Sequence, residues 1–395
     1  MDFCKTELCT GCAACANSCP KNCIHMESDV EGFLRPNIQA DICVECGLCE
    51  SHCPVLHPIG NWCSDQAGTN AYSVHYKDEA IRSTSTSGGA FTALCEWVFQ
   101  RNGVVFGAAY DTLFQVVHIR ADDMAALGKL RTAKYAQSQI GNSFQEVKKL
   151  LNEGRYVLFS GTPCQIAGLS SYLGRAHERL VLVDLICHGT PSPAVWQAYI
   201  RYRSQTDAQG AEPISVNLRS KKTGWPNYSV SFTYENGVDY SAPNSVDPFM
   251  RAFVGNLCLR PSCYDCQFKG LSRASDFTLG DYWGVWNQVP EFNDGHGTSL
   301  VLVHNEKATA IWNEVCQVLR YKQVDAVSSL ADNPSALRSS EKPSNREIFM
   351  DNYASQDFEK IVNLLRPIPV PCKKPAWKWI LRKILCKLHG EGINT

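Results

Sequence analysis

The chain has almost no net charge. Its 38 basic and 39 acidic residues leave a formal value of −1, which excludes the basic field that a nucleic-acid partner would need. No apolar run approaches the roughly 20 residues of a membrane span. The start, Met1-Asp2-Phe3-Cys4-Lys5, lacks a charged stretch followed by an apolar one, so export is not expected and a reducing cytoplasm fits best. A G-x-G-x-x-G dinucleotide fingerprint is missing too. What is left is an ordinary globular composition, 44% hydrophobic and 19% charged, over 395 residues, enough for two or three domains.

Cysteine is in excess. Twenty are too many for a scatter of buried thiols, and eight fall into two copies of one pattern. The first is Cys9-Thr-Gly-Cys12-Ala-Ala-Cys15-Ala-Asn-Ser-Cys19-Pro20; the second is Cys43-Val-Glu-Cys46-Gly-Leu-Cys49-Glu-Ser-His-Cys53-Pro54. Each is the C-x₂-C-x₂-C-x₃-C-P run that ligates 4Fe-4S cubes in bacterial-type ferredoxins. Two-residue spacers let three thiolates wrap one face of a cube. The proline turns the chain so that the fourth cysteine reaches the other cube. The expected sets are therefore crossed: Cys9, Cys12, Cys15 and Cys53 for cluster one, and Cys43, Cys46, Cys49 and Cys19 for cluster two. A pair of zinc sites would not call for a crossed, proline-terminated octet. A disulfide framework does not suit a chain without a secretory signal. The sequence predicts a carrier of electrons, with Cys4, Cys23 and Cys63 off the ligand spacing and read as structural.

Residues 1–60 form the dicluster module, with Asp29 to Pro36 as a hairpin between its pseudo-repeats and 58–70 as a linker. From Ala71 short β-branched runs alternate with helical stretches. Strands are predicted at 71–76, 103–110, 116–120, 155–160 and 180–186, and helices at 89–101, 144–151, 165–173 and 193–202. Continuous apolar strands feeding helices imply a parallel or mixed sheet covered on both faces. After Pro213 the texture turns antiparallel, with strands at 214–219, 228–234 and 277–279 around a cysteine-bearing loop. A strand at 299–303 and a helix at 307–319 return to α/β character. The fold class expected is a small bacterial-type dicluster ferredoxin domain fused to a larger mixed α/β domain over 71–365. Residues 366–395 read as a proline-rich tether and a basic amphipathic helix. Trp377, Ile380, Leu381, Ile384, Leu385 and Leu388 make its apolar stripe, and Lys378, Arg382, Lys383 and Lys387 lie opposite. That helix either packs on the protein's own core or attaches, through 373–389, to the anionic inner face of a membrane.

A second constellation lies in the larger domain. Cys164 and Cys187 each follow a predicted buried strand, on the carboxyl edge where open α/β sheets bind ligands. Cys263 and Cys266 form another C-x₂-C pair. Four cysteines from three loops could meet at a third metal centre, most simply another 4Fe-4S cube; the alternative is two buried thiols and a small zinc knuckle. Ser85-Thr-Ser87-Gly88-Gly89-Ala90 and Gly161-Thr162-Pro163 lead into helices, where free N–H groups suit a phosphate, although such turns also serve as plain helix caps.

The residues Ser87-Gly88-Gly89, Lys134-Tyr135-Ala-Gln137-Ser138, Phe159 to Gly168, Asp184 to Gly189, Leu259 to Cys266 and Ser275 to Gly284 give the chain a resemblance to a known family. It resembles the beta subunits of coenzyme F-420-reducing hydrogenases and F-420-dependent dehydrogenases from about 70 to 310. The resemblance implies FAD, with Ser87, Gly88, Gly89, Lys134, Tyr135, Gln137, Ser138 and Thr162 in or near its site, and it favours a third cluster on Cys164, Cys187, Cys263 and Cys266. Relatives differ in substrate; they include a chlorophyll-pathway reductase fed by ferredoxin and members found beside surface-polysaccharide genes. The function expected is an Fe-S flavoprotein oxidoreductase taking electrons from ferredoxin or another low-potential donor. Its small-molecule hydride acceptor would be coenzyme F-420 or an intermediate of surface-polysaccharide synthesis, and a homo-oligomer is compatible with this. The rival reading is an electron-transfer subunit that delivers electrons to a partner enzyme. Candidate acid–base groups at the rim are His188, which would equally serve to position a ligand, and Asp281, which could be a plain strand-end carboxylate.

Overall fold

The computed structural model describes residues 4–58, 68–354 and 357–366. The 59–67 part of the linker, Cys63 and the tail beyond Arg366 with its basic stripe lie outside the described residues. Two short strands, β1 (Ile24–Ser28) and β2 (Leu34–Ile38), pair antiparallel as the expected hairpin. Ala14–Ser18 and Leu48–Ser51 are single helical turns beside the two cysteine motifs.

The main sheet is built from β3 (Asn70–Tyr76), β4 (Val104–Tyr110), β5 (Val116–Ala121), β6 (Val157–Gly161) and β7 (Leu180–Leu185), joined later by three more strands. A separate three-stranded antiparallel sheet holds β8 (Pro213–Ser220), β9 (Ser229–Tyr234) and β10 (Asp239–Pro243). The chain then returns to the main sheet with β11 (Phe277–Asp281), β12 (Ser299–Val303) and β13 (Leu319–Val324). The spatial order is β13-β3-β12-β11-β7-β6-β4-β5. Its centre, β4, β6, β7 and β11, is parallel, and the outer strands are antiparallel.

The near-continuous apolar runs of β6 and β7 are explained by burial on both faces. Val157, Phe159, Leu180 and Leu182 pack under the helices Ser143–Asn152 and Pro163–Leu173. Leu158, Val181 and Val183 point the other way, toward the helix Ala90–Phe99. Among the described residues no helix is long and apolar enough to cross a membrane.

Three details differ from the sequence reading. β11 does not join β8 and β9; it inserts beside β7 in parallel register, Phe277 opposite Val183. The helix expected over 307–319 stops at Val315, and Leu319–Val324 becomes an edge strand on β3. Its residues after Leu319 are mostly exposed, so no alternation announced it. The helix from Pro193 runs on to Ala208.

The dicluster module is sunk into both cores of the larger domain. Phe33, at the hairpin turn, is fully buried among Trp196, Tyr199 and Phe249. Gly32 beside it has φ 81°, and a Cβ there would lie 2.2 Å from the Ala194 Cβ, so only glycine lets the turn sit on that helix start. Cys12, Ala13 and Ala14 pack into the other core, where a Cβ on Gly168 would come within 3.0 Å of Cys12 Sγ. Arg346 clamps the hairpin: its Nη1 and Nη2 donate to the two Glu31 carboxylate oxygens at 2.7 and 2.6 Å, and it also donates to Leu259 O and Tyr264 Oη. Arg346 is buried, so removing its carboxylate partner strands a cation. Glu31→Gln is expected to lower stability by about 3 kcal/mol and to raise amide hydrogen exchange across 29–38 in the full chain. Unchanged exchange there would show that the pair does not hold the module.

Candidate functional site

Because β6, β7 and β11 run parallel, their carboxyl ends bring Thr162–Cys164, Ile186–His188 and Asp281–Trp283 to one edge of the sheet. Pro163 takes the first helical position, so Cys164 lies in the first turn of the helix rather than in a loop before it. The Gln165 side chain reaches back to accept from Thr162 N–H at 3.0 Å and donates to Ser138 Oγ at 2.8 Å. Facing this edge is the loop that carries Pro261–Cys263 as one 3₁₀ turn. It is held by Arg260 N–H to Thr190 O at 2.9 Å and by a bridge between Pro191 and Leu259.

Cys164, Cys187, Cys263 and Cys266 line one small chamber together with Arg260, Lys269 and Arg273. Thr190 N–H points at Cys263 Sγ (3.3 Å), and Thr162 Oγ1 lies 3.2 Å from Cys164 Sγ. Lys269 Nζ caps the Cys187 and Ser335 carbonyls. Burial pushes the Cys164 thiol up and the Cys187 thiol to about 12, so these sulfurs become thiolates only against a strong positive centre. A single zinc ion draws its ligands to about 2.3 Å from one point. Among the described residues no three candidate ligands converge in that way. The chamber suits a larger, multi-iron group whose thiolates bind at separate corners.

The ferredoxin ligands fall into the crossed sets. Cys9, Cys12, Cys15 and Cys53 line a second small chamber. Cys19 packs with Cys43 and Cys49 in a separate cluster of side chains, and Cys46 beside them is exposed. Two cysteines read as merely structural lie against these sets: Cys4 lines the first chamber, and Cys23 Sγ is 3.3 Å from Cys19 Sγ.

A cavity of about 540 Å³ opens beside the four-cysteine chamber and shares Cys164, Cys187, His188, Gly189 and Thr190 with it. Its walls include Ser87, Gly89, Lys134, Tyr135, Gln137, Ser138 and Thr162. Gly88 is not among them. Its N–H is taken by Ser299 Oγ (2.9 Å), and a Cβ would stand 2.1 Å from Val74 O, so this glycine serves close backbone packing instead of a phosphate. Lys134 Nζ donates to the carbonyls of Lys129, Arg131 and Thr132 at 2.7 to 3.1 Å, while burial pulls it down to about 7. It shapes the wall loop and has no proton left for a ligand. Gln137 binds the ferredoxin module, accepting from Leu34 N–H and Arg260 Nη1 at 3.0 and 2.9 Å.

Neither candidate acid–base group is free. Asn256 Nδ2 donates to Glu341 O, which turns its Oδ1 toward His188 Nε2 at 2.7 Å. Nε2 therefore carries the proton, and Nδ1 accepts from the Ser335 hydroxyl (3.3 Å). Burial lowers the His188 pKa and keeps the ring neutral. Asp281 is bound through one oxygen to Arg219 Nη2 (2.5 Å) and through the other to Trp225 Nε1 (2.9 Å).

Sequence reasoning missed His118, Thr92 and Arg131, which also line this cavity. His118 Nε2 donates to Ser160 O (2.9 Å), leaving Nδ1 buried with no partner, and burial pulls the ring down to about 4, so Nδ1 is a bare acceptor. Thr92 Oγ1 and Arg131 Nε are likewise buried and unpaired. Each such atom costs about 1–3 kcal/mol unless a bound group satisfies it. A signal was available only in three dimensions, since His118 sits mid-strand in β5, where imidazole reads as filler.

Comparison with known proteins agrees with this arrangement. The family model for the C terminus of the "Coenzyme F420 hydrogenase/dehydrogenase, beta subunit" matches residues 154–327, and that of the 4Fe-4S dicluster domain matches 8–56. A 7Fe ferredoxin of Hydrogenibacillus schlegelii is 42% identical over 57 residues, 14% of this chain and 67% of its own length. An uncharacterized ferredoxin of Methanocaldococcus jannaschii is 43% identical over 50 residues, 12% of this chain and 74% of its own. A chain of the F420-reducing NiFe hydrogenase complex from Methanosarcina barkeri overlaps 75% of this chain and 91% of itself, at 16% identity and a TM-score of 0.43. The chain belongs to the coenzyme F420 hydrogenase/dehydrogenase beta-subunit family of oxidoreductase subunits, and carries a 4Fe-4S dicluster domain ahead of the family's own region.

Proposed function

We propose that the chain is an iron–sulfur flavoprotein oxidoreductase. Residues 1–60 take electrons from a ferredoxin-type low-potential donor, and residues 71–365 hold a third 4Fe-4S cluster and FAD. The observation that carries the reading is the sequence of chambers. The ferredoxin chamber of Cys9, Cys12, Cys15 and Cys53, the chamber of Cys164, Cys187, Cys263 and Cys266, and the large cavity all share Thr10 as a wall. Each is one residue from the next. The exposed Cys46 puts the other ferredoxin cluster at the surface, at the donor end of that line.

The residues of the cavity suit FAD. Its volume lies within the roughly 300–1,000 Å³ of cofactor and ligand sites. The unpaired His118 Nδ1, Thr92 Oγ1 and Arg131 Nε need the mixed donors and acceptors that a flavin edge presents. Bound there, FAD would supply the exchange between single electrons and hydride that iron–sulfur clusters cannot make alone. The chain's side chains have supporting tasks. Trp225 and Trp283 stack at 4.8 Å and close one wall against water, with Arg219 laid over Tyr228 at 3.9 Å. Asp281 holds Arg219 in that place, and His188 positions the Cys187 strand end; neither acts as a proton donor. The substrate proposed is a small hydride acceptor, with coenzyme F-420 and a surface-polysaccharide intermediate as the two to try first.

Anaerobically prepared protein is expected to contain about twelve irons with matching sulfide, four for each proposed cube, and to bind FAD. Cys9→Ser should lose or convert one cube and keep its flavin. Stoichiometric zinc without sulfide, or no flavin uptake from excess FAD, would refute the reading. Reduced or oxidised flavin should also change colour with a small-molecule substrate alone; a requirement for a second protein would make the chain an electron-transfer subunit instead.

His118→Leu removes the unpaired acceptor while filling its space. The Kd for FAD, read by fluorescence titration, should rise about tenfold, equivalent to about 1.4 kcal/mol, with iron content unchanged. An unaltered Kd would take His118 out of the site.

A further inference from the structure

Arg260 is 1% exposed, yet no carboxylate among the described residues forms an ion pair with it. Its guanidinium donates instead to neutral oxygens: Cys9 O at 2.7 Å, Leu34 O at 2.8 Å and Gln137 Oε1 at 2.9 Å. Its Nη2 also lies 3.8 Å from Cys9 Sγ. Carbonyl oxygens orient a cation but do not neutralise it, and a buried charge without a counter-charge is expensive. Every other buried arginine of comparable depth has its acid: Arg82 has Asp294, Arg273 has Asp184, Arg219 has Asp281 and Arg346 has Glu31. The missing anion has an evident source. A cube held by four thiolates is negatively charged, and more so when reduced, and Cys9 is a proposed ligand of cluster one. Arg260 also walls the four-cysteine chamber, and its backbone N–H and C=O fix that loop to Thr190 and Cys263.

We propose that Arg260 is the counter-charge of cluster one and raises that cube's reduction potential, so that the inner ferredoxin cube draws electrons from the outer one. The step is one electron leaving the reduced outer cube and one entering cluster one, with no bond made or broken; the donor is the low-potential carrier already invoked. A cation in a dry site stabilises the more negative reduced cube over the oxidised one, and salt screens that effect little because the pair is buried. The inference rests on the ligand set proposed for cluster one, which Cys9→Ser tests separately by loss of one cube.

The test is an EPR-monitored redox titration of the full, cluster-loaded chain, with the outer cube as internal reference. Arg260→Met removes the charge. Gln137→Glu leaves the arginine in place but sets a carboxylate against Nη1, supplying the absent acid should Arg260→Met fail to fold. In both, at a fixed ambient potential near the wild-type midpoint, the oxidised-to-reduced ratio of cluster one should rise at least tenfold, about 59 mV for one electron. The outer cube should not move, and Arg260→Lys, which keeps the charge and loses the hydrogen-bond fork, should stay near wild type. An unmoved cluster-one midpoint in Gln137→Glu, or equal shifts in all cubes, would overturn the proposal. A shift in Arg260→Lys as large as in Arg260→Met would do so as well, by assigning the effect to hydrogen bonding.

Discussion

The parallel register of β6, β7 and β11 is the constraint on which the site depends. Parallel neighbours end on the same side, so three separate stretches of chain deliver a helix start, a histidine-bearing loop and a tryptophan-bearing turn to one edge. β11 comes almost a hundred residues after β7, and an entire second sheet intervenes. Had it paired with β8 and β9, Asp281 and Trp283 would have been carried away from Cys187. The buried Asp276, which accepts from Leu182 N–H at 2.8 Å and pairs with Lys307, helps to fix that insertion. A carboxylate so deep in a sheet is tolerated only because each lone pair has a donor.

The second dependence is the seating of the ferredoxin module. A small two-cluster module has little apolar core of its own, and most of what surrounds its cysteines here belongs to the larger domain. Phe33 enters one core and Cys12 the other, while Gln137 and Arg260 hold the strand at Leu34 from below. The two parts thus share walls, and the distance between their chambers is set by side chains that belong to both.

Much of this was legible beforehand, for physical reasons. The cysteine octet could be read because ligand spacing around a cube is a local property of the chain. The strands from Ala71 to Leu185 could be read because burial on both faces demands unbroken apolar runs. Cys164 and Cys187 could be set on one edge because each follows such a run. What the sequence hid was long-range pairing. β13 has no alternation, since an edge strand on β3 needs only backbone partners. Gly88 looked like a phosphate turn, but its role is set by the Val74 carbonyl from a neighbouring strand. The roles of Asp281 and His188 were decided by Arg219, Trp225, Asn256 and Ser335, none adjacent in sequence. His118 was invisible because its exceptional feature is an absent partner.

The contrast between Cys46, open to solvent, and the buried Cys12 gives the protein an order of failure. Oxygen, peroxide and chelators meet the outer cube first, while the inner chambers stay behind packed side chains. Damage would then begin at the entrance, cutting the supply of electrons before it touches the parts that hold the fold. An injured molecule would remain intact but silent, with its interior still reduced, and rebuilding one surface-accessible cube would return it to service.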